Sequence, residues 1–354
     1  MSLAVDSAET PVPIIDLDRV DRNLKKMQAY CDLNGLALRP HIKTHKIPTF
    51  AQRQMALGAI GITCQKLGEA EIMVEAGLDN ILISYPLIGP AKAMRLARLA
   101  QRARMQVAID NPVALETVAK AAASAGTEIG ILIEFDSGAK RTGVTSVEEV
   151  LALAQRVVVS SGLRFDGLMT YPILPATAPF IATAKAALTA INLAPAVISG
   201  GGTPNAWRAH ETVGLTELRV GTYIYHDRAT VGSGAASLED CALHIHATVI
   251  SRPTKDRAIL DCGTKSLTSD PVAPEVGPGF GLILEYPDAV IERLNEEHGM
   301  VDFSAAARRP EIGERVRVVP NHVCVVSNLH DRVLAMRNGM IVDTLTIAAR
   351  GLTL

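Results

Sequence analysis

Short apolar runs alternate with amphipathic segments along the first two thirds of the chain. The runs are short, mainly apolar and rich in β-branched residues, which is typical of strands buried in a parallel sheet. They lie at residues 36–42, 60–65, 80–85, 106–110, 128–135, 165–171, 196–200 and 218–223. The segments between them carry apolar residues three and four positions apart, which indicates helices. Eight such repeats predict an α/β fold, a (β/α)8 barrel of the TIM type, and the number eight favours it over an open doubly wound sheet.

The pattern changes after about residue 236. Segments such as 241–253 and 315–326 read as strands without long helices between them, which predicts a second, mostly β domain. Asn338-Gly339 lies between two such segments and supplies the positive φ angles of a hairpin turn. We therefore expect a barrel domain at 12–235 and a C-terminal β domain at 236–354, which the N-terminal strand within residues 1–20 joins.

Composition and charge limit the classes of function. The chain has 354 residues and a net charge of −2, so no basic surface calls for nucleic acid or anionic lipid. The first residues lack the features of a secretion signal, and no apolar run approaches the roughly 20 residues of a membrane span. Five cysteines without a CxxC pair fit a reducing compartment. We expect a cytoplasmic protein that binds neither nucleic acid nor membrane.

A basic cluster ends the first predicted barrel strand. Five of the eight residues from Arg39 to Lys46 are basic or histidine. Barrel enzymes place their chemistry at the C-terminal strand ends, where the amine of Lys43 can attack an aldehyde and its basic neighbours suit an anionic cofactor. The alternative for such a cluster is a solvated basic loop.

A glycine run follows the seventh predicted strand. Gly200, Gly201 and Gly202 precede Thr203, and three glycines allow the backbone to approach a ligand closely. Barrels commonly bind phosphate in the loops after strands seven and eight. We expect a phosphate site here; the alternative is a flexible turn.

The segment 136–143 follows the fifth predicted strand and combines an aspartate, an arginine and glycines. Its Arg141 can orient an anionic group or donate to an aromatic oxygen, so we expect it to contact the cofactor. A surface arginine after a turn is the alternative.

His322 and Cys324 form a third constellation. On a strand, residues two apart point to one face, so this pair can bind one divalent metal and leave open coordination positions. Imidazole with thiolate suits zinc and tolerates manganese or cobalt. The alternative is a buried cysteine beside a polar histidine, and His298 is a third candidate neighbour.

These motifs together resemble the fold-type III enzymes that use pyridoxal 5′-phosphate (PLP), which include alanine racemase. The strongest resemblance is to the D-threonine aldolase and D-serine dehydratase branch. It runs from about Thr10 to Gly351 and rests on RPHIKTHK, CQKLGEAE, DSGAKRTGV, SGGGT, LRVGTYIYHD, EEHG, PNHVC and AARG. The resemblance implies an alanine racemase-like barrel, a β domain and a homodimer.

The resemblance also implies roles for residues. Lys43 would form the Schiff base with PLP, and His322 and Cys324 would bind a divalent metal: zinc, manganese, cobalt or magnesium. The further residues expected to contact PLP are Gln65, Tyr171, Gly201, Gly202, Thr203 and Tyr223.

The implied reaction is a lyase reaction on a D-β-hydroxy amino acid. D-threonine aldolase activity, which gives glycine and an aldehyde, is the first expectation. The alternative is a D-serine or D-3-hydroxyaspartate dehydratase, which gives a keto acid and ammonia, because dehydratases of this branch carry the His-x-Cys spacing seen here. An amino-acid racemase, a non-catalytic PLP carrier and a metal-dependent hydrolase are further alternatives.

Overall fold

The structure is a computed structural model that describes residues 3–354. The chain divides into two compact units. The barrel unit comprises residues 27–43, 48–221 and 352–354, and the β unit comprises residues up to 26, 44–47 and 222–351. The predicted division at 235/236 therefore falls inside the β unit. The first two residues of the predicted N-terminal segment lie outside the described residues.

The first elements of the chain lie in the β unit, and the chain then continues into the barrel unit. They are β1 (Leu3–Ala4), β2 (Val12–Asp16) and helix α1 (Leu17–Leu33). Helix α1 begins in the β unit and ends in the barrel unit.

Eight parallel strands form the sheet of the barrel unit. They are β3 (Ala37–Leu38), β4 (Ile62–Cys64), β5 (Asn80–Ile83), β6 (Arg104–Ile109), β7 (Ile129–Glu134), β8 (Leu163–Met169), β9 (Val197–Gly201) and β10 (Glu217–Arg219). Their order is β3-β10-β9-β8-β7-β6-β5-β4, and a parallel bridge between His41 and Thr63 joins the two end strands. The eight predicted strands and the closed barrel are therefore confirmed.

Apolar side chains form much of the barrel core. All six residues of β7 are buried, including Glu134 at its end. Leu82, Ala108, Leu132 and Met169, from four neighbouring strands, pack together in one core cluster.

Helices connect the barrel strands. They are α2 (Pro48–Leu57), α3 (Leu67–Glu75), α4 (Pro90–Ala100), α5 (Pro112–Ala125), α6 (Val147–Val159) and α7 (Thr177–Ala190). Local sequence sets their ends: the Asn111 side chain accepts from Ala114 N–H at the start of α5, and Gly126 ends it at φ +65°. Ser146 and Glu149 form a capping box at the start of α6.

The β unit holds a ten-stranded sheet. Its further strands are β11 (Leu243–Ser251), β12 (Arg257–Leu260), β13 (Leu282–Ile283), β14 (Val290–Leu294), β15 (Gly299–Asp302), β16 (Arg315–Val319), β17 (Arg332–Arg337) and β18 (Met340–Thr346). The order is β1-β18-β17-β2-β11-β12-β15-β14, and β16 pairs with β11 and β13. Asn338 and Gly339 form the predicted hairpin turn, with φ values of 48° and 73°.

Two short helices complete the β unit, α8 (Arg228–Gly232) and α9 (Val323–Leu329). The prediction that His322 and Cys324 lie on a strand is wrong, because β16 ends at Val319 and α9 begins at Val323. Pro320 has no N–H to continue the strand. The Val323 N–H donates to the carboxylate of Asp227 at 3.1 Å, which supplies the partner that the first turn of a helix lacks.

Among residues 3–354, six short 3-10 helices lie between these elements: Val5–Ser7, Ile42–Thr44, Ala206–Glu211, Thr222–Ile224, Leu238–Asp240 and Pro274–Val276. Within residues 3–354, no helix is long and apolar enough to cross a membrane.

Candidate active site

Lys43 lies at the C-terminal end of the barrel strands. It belongs to the 3-10 turn that follows β3, and its N–H donates to His41 Nδ1 at 3.3 Å. Its Nζ lies 5.9 Å from the ring centroid of Tyr171, which follows β8. The amine of Lys43 and an aromatic ring from another strand therefore meet at the barrel mouth.

Gln65 is held by the ends of the neighbouring strands. Its Oε1 lies 3.1 Å from Nε2 of His41, which is buried, and 3.4 Å from the Ser84 hydroxyl. The Gln65 N–H donates to Glu69 at 2.6 Å. The sequence did not single out Ser84, because a lone serine after a strand carries no distinctive signal.

Tyr171 has a second cation against its ring. The guanidinium carbon of Arg141 lies 4.6 Å from the ring centroid, within the range of a cation–π contact. The loop that carries Arg141 is fixed by Asp136, which accepts from the N–H groups of Gly138 and Lys140 at 2.9 and 3.1 Å. The predicted residues Lys43, Arg141 and Tyr171 are thus brought together.

The glycine run lies beside the same tyrosine. A Cβ at Gly201 would come within 2.8 Å of the Arg219 carbonyl oxygen, so any side chain there would collide with backbone. Gly202 has φ +124°, and a Cβ on it would lie 3.8 Å from the Tyr171 ring. Thr203 follows and is buried. Only glycine fits both positions comfortably, and the space left open borders Tyr171.

Buried charges lie beneath these strand ends, and sequence reasoning did not predict that they pair with one another. Arg39 donates to Glu217 at 2.8 Å, and Arg219 donates to the Ser199 hydroxyl. Burial lowers the pKa of Arg219 to about 10, although nearby Glu217 and Glu134 oppose the shift. Burial also disfavours the charged form of Glu134, and for this carboxyl group it raises the pKa. The alternation of apolar runs with helical segments predicts the barrel. It does not predict which interior positions carry paired charges.

The metal candidates lie in the β unit. His322 occupies the N-cap position of α9, and Cys324 lies in its first turn. The Nδ1 atom of His322 is 3.1 Å from Oδ2 of the fully buried Asp227. The Cys324 sulfur is 3.2 Å from the Thr44 hydroxyl. Asp227 ends the motif LRVGTYIYHD, but sequence reasoning gave it no role at the metal site, because it stands 95 residues before His322.

Hydrogen bonds stabilise positive charge on His322. Burial alone would lower the pKa of His322, but hydrogen bonds with Asp227 and Cys324 outweigh it and raise that pKa to about 11. Imidazole, thiolate and carboxylate are donors that suit zinc and related divalent metals. Within the described part of the chain, no set of three or more His, Cys, Asp and Glu side chains is arranged to hold a metal.

Two predicted residues fall elsewhere. Tyr223 is buried in the 3-10 turn Thr222–Ile224 and belongs to the β unit, whereas the other expected PLP contacts belong to the barrel unit. His298 is exposed in the turn between β14 and β15, where its carbonyl accepts from Asn295 at 2.9 Å.

Comparisons with known proteins identify the family. The family described as alanine racemase, N-terminal domain, matches residues 15–229, and the putative serine dehydratase domain matches residues 242–336. A D-threonine aldolase from Arthrobacter sp. is 38% identical, covering 97% of this chain and 93% of its own. The chain belongs to the D-threonine aldolase and D-serine dehydratase family. This family is PLP-dependent, and its members are lyases.

Solved structures of the family agree with this fold. D-threonine aldolase from Filomicrobium marinum superposes with a TM-score of 0.91 at 32% identity, covering 100% of this chain and 99% of that one. D-threo-3-hydroxyaspartate dehydratase from Delftia sp. is 32% identical over 89% of this chain and 91% of its own. Two structures of that dehydratase are alanine mutants, one of a cysteine in the metal-free form and one of the histidine two positions earlier.

Proposed function

We propose that this chain is a PLP- and metal-dependent lyase of D-β-hydroxy amino acids and that it cleaves D-threonine to glycine and acetaldehyde. The observation that carries the proposal is the amine of Lys43 at the mouth of an alanine racemase-like barrel, 5.9 Å from the Tyr171 ring. The similarity of the whole chain to D-threonine aldolases supports the choice of reaction.

The barrel mouth fits PLP. Lys43 supplies the amine that would hold the cofactor aldehyde, and the Gly201-Gly202 turn leaves room for a phosphate that a side chain would fill. Arg141 and Tyr171 form a cationic and aromatic wall that would orient the pyridine ring. PLP, when bound, supplies an electron sink for the substrate Cα.

The β unit fits a divalent metal. His322 and Cys324 would be its protein ligands, as in a site with open coordination positions. The paired cysteine and histidine mutants of the Delftia dehydratase, one of them metal-free, support a role for this spacing. A metal there would act as a Lewis acid on the substrate β-hydroxyl.

The dehydratase reaction is the second candidate, favoured by the His-x-Cys pair and by the Delftia relative. The two reactions differ in the proton that leaves the substrate. In the aldolase reaction the β-hydroxyl loses its proton, the Cα–Cβ bond breaks to release the aldehyde, and Cα takes up a proton to give glycine. In the dehydratase reaction, Lys43 Nζ takes the Cα proton and the β-hydroxyl departs as hydroxide, which is protonated to water. Hydrolysis of the remaining enamine then gives the keto acid and ammonia.

Product analysis with D-threonine tests the proposal. The aldolase releases glycine and acetaldehyde in equal amounts, the dehydratase releases 2-oxobutyrate and ammonia, and a racemase produces L-threonine. Lys43→Ala is the inactive control. Release of neither an aldehyde with glycine nor a keto acid with ammonia from D-threonine, D-serine and D-3-hydroxyaspartate would contradict the proposed lyase.

We further propose a homodimer in the cytoplasm, as the family resemblance and the reduced cysteines suggest. Light scattering of the PLP-loaded protein tests the dimer.

A further inference from the structure

The carboxylate of Asp227 has two sets of partners. Its Oδ2 lies 3.1 Å from His322 Nδ1 and also accepts from Val323 N–H at 3.1 Å. Its Oδ1 accepts from the N–H and hydroxyl of Thr230 at 2.9 and 3.0 Å. A fully buried carboxylate with both oxygens bound this way has a fixed orientation.

The backbone beside Asp227 fixes it against the segment that carries His322. Arg228 N–H donates to the Pro320 carbonyl at 3.0 Å, and Ala229 N–H donates to the Asn321 carbonyl at 3.2 Å. The Arg228 guanidinium also lies 3.3 Å from the Asn321 side-chain oxygen. The carboxylate is therefore in place independently of its contact with His322.

An imidazole that is bound through Nδ1 has only Nε2 left for a metal. Carboxylates in this position fix the ring orientation and the tautomer and increase the basicity of the ligand. One thiolate from Cys324 and one carboxylate from Asp227 also balance the charge of a divalent ion. We propose that Asp227 is a positioning residue that holds His322 with Nε2 directed to the metal. This inference rests on the metal part of the proposed function.

Asp227 also has a structural role that must be separated from this one. It is the N-cap of α8, where its side chain and that of Thr230 form a capping box. Thr230 takes part in the cap, and its hydrogen bonds run to Asp227 and not to His322. Thr230→Ala is therefore the matched control, since it weakens the cap and leaves the Asp227–His322 contact in place.

The experiment measures metal affinity. The dissociation constant for Zn²⁺ is determined in the PLP-loaded, full-length wild type, Asp227→Asn and Thr230→Ala by competition with a chromophoric chelator. Asp227→Asn is expected to bind Zn²⁺ about 10- to 100-fold more weakly, the usual effect of losing such a partner. Thr230→Ala is expected to stay within about threefold of wild type, because it removes the hydroxyl donor but keeps the N–H groups of Thr230 and Val323 on the Asp227 carboxylate. Equal losses in the two variants, or wild-type affinity in Asp227→Asn, would overturn the inference.

A measurement on the wild type covers the case in which Asp227→Asn fails to fold. In zinc-loaded protein with ¹⁵N-labelled histidine, the His322 resonances, assigned through their loss in His322→Gln, should show a protonated Nδ1 and a metal-bound Nε2. A metal-bound Nδ1 would overturn the inference while leaving the metal site standing. A wild type that binds no zinc would overturn both this inference and the metal part of the proposed function.

Discussion

Gly202 sets the backbone path beside the proposed phosphate site. Its φ of +124° lies in a region that residues with a Cβ rarely adopt, at a cost of about 1–3 kcal/mol. Its neighbour Gly201 is restricted differently, by a carbonyl oxygen that would lie 2.8 Å from an added Cβ. A substitution of Gly202 by alanine therefore tests the backbone conformation, because the added Cβ would not collide with neighbouring atoms.

We predict that Gly202→Ala weakens PLP binding by about tenfold, equivalent to about 1.4 kcal/mol, because the strained turn would shift away from the cofactor. Gly126→Ala is the control: Gly126 also has a positive φ, 65°, but ends α5 with open space around it. Both variants should lower the free energy of unfolding, and only Gly202→Ala should raise the PLP dissociation constant, measured by fluorescence titration. Equal PLP affinity in the two variants would contradict the proposed phosphate turn.

Single residues were predictable where their chemistry is distinctive. Lys43 stood out in a basic cluster at a strand end, and the glycine run stood out by composition. Ser84 and Asp227 did not, because serine and aspartate are common in loops and their partners are distant in sequence. Asp227 reaches His322 only through the fold.

Strand β11 carries two buried histidines at positions two apart. His244 and His246 thus lie on one face of the strand, and both are almost fully buried. Burial, with Arg19 and Arg317 nearby, lowers the pKa of His244 to about 3. Burial, with Arg315 and Arg317, lowers the pKa of His246 to about 4.

These two histidines should make the protein lose stability in acid. Below pH 6.5, the usual pKa of histidine, the unfolded chain binds protons that the folded strand does not. The free energy of unfolding should therefore be undiminished above about pH 6.5. It should fall towards pH 4 by about 1.4 kcal/mol per pH unit for each histidine.

The check is urea unfolding of His244→Gln/His246→Gln at pH 7, 6 and 5. Glutamine does not titrate, so the variant should show a shallower loss of stability with falling pH than the wild type. His298→Gln, which replaces an exposed histidine in the same unit, should keep the wild-type slope. A double variant with the wild-type slope would show that these histidines do not limit acid stability.

Strands and helices could be predicted where buried apolar residues recur regularly along the chain. Most barrel strands are short, mainly apolar runs, so local sequence was enough to locate them, although β8 and β10 also carry charged residues. Helix α9 was misread as a strand because its residues Val323, Val325 and Val326 are β-branched and favour strands. A contact from Asp227, remote in sequence, supports its first turn instead.

The whole chain crosses between its two units several times. The barrel could be predicted from a count of repeats, because each strand and its helix are consecutive. The assignment of residues 44–47 to the β unit could not, since Thr44 and Lys46 contact Cys324 and Ala349, about 300 residues away. Sequence patterns report neighbours along the chain and not such distant partners.

This division predicts that PLP and metal load independently. Lys43 and every expected PLP contact except Tyr223 belong to the barrel unit, whereas His322 and Cys324 belong to the β unit. EDTA should abolish turnover and leave the visible absorbance of bound PLP, and added Zn²⁺ or Mn²⁺ should restore activity.

Lys43→Ala should show the opposite behaviour. This variant should lose the absorbance of lysine-bound PLP. It should still contain one metal per chain by atomic emission, because the proposed metal ligands His322 and Cys324 and their partners Asp227 and Thr44 are unchanged. Release of PLP by EDTA, or loss of the metal from Lys43→Ala, would mean that each group depends on the other. In that case PLP and metal would not bind independently, and the division into two units would not predict how they load.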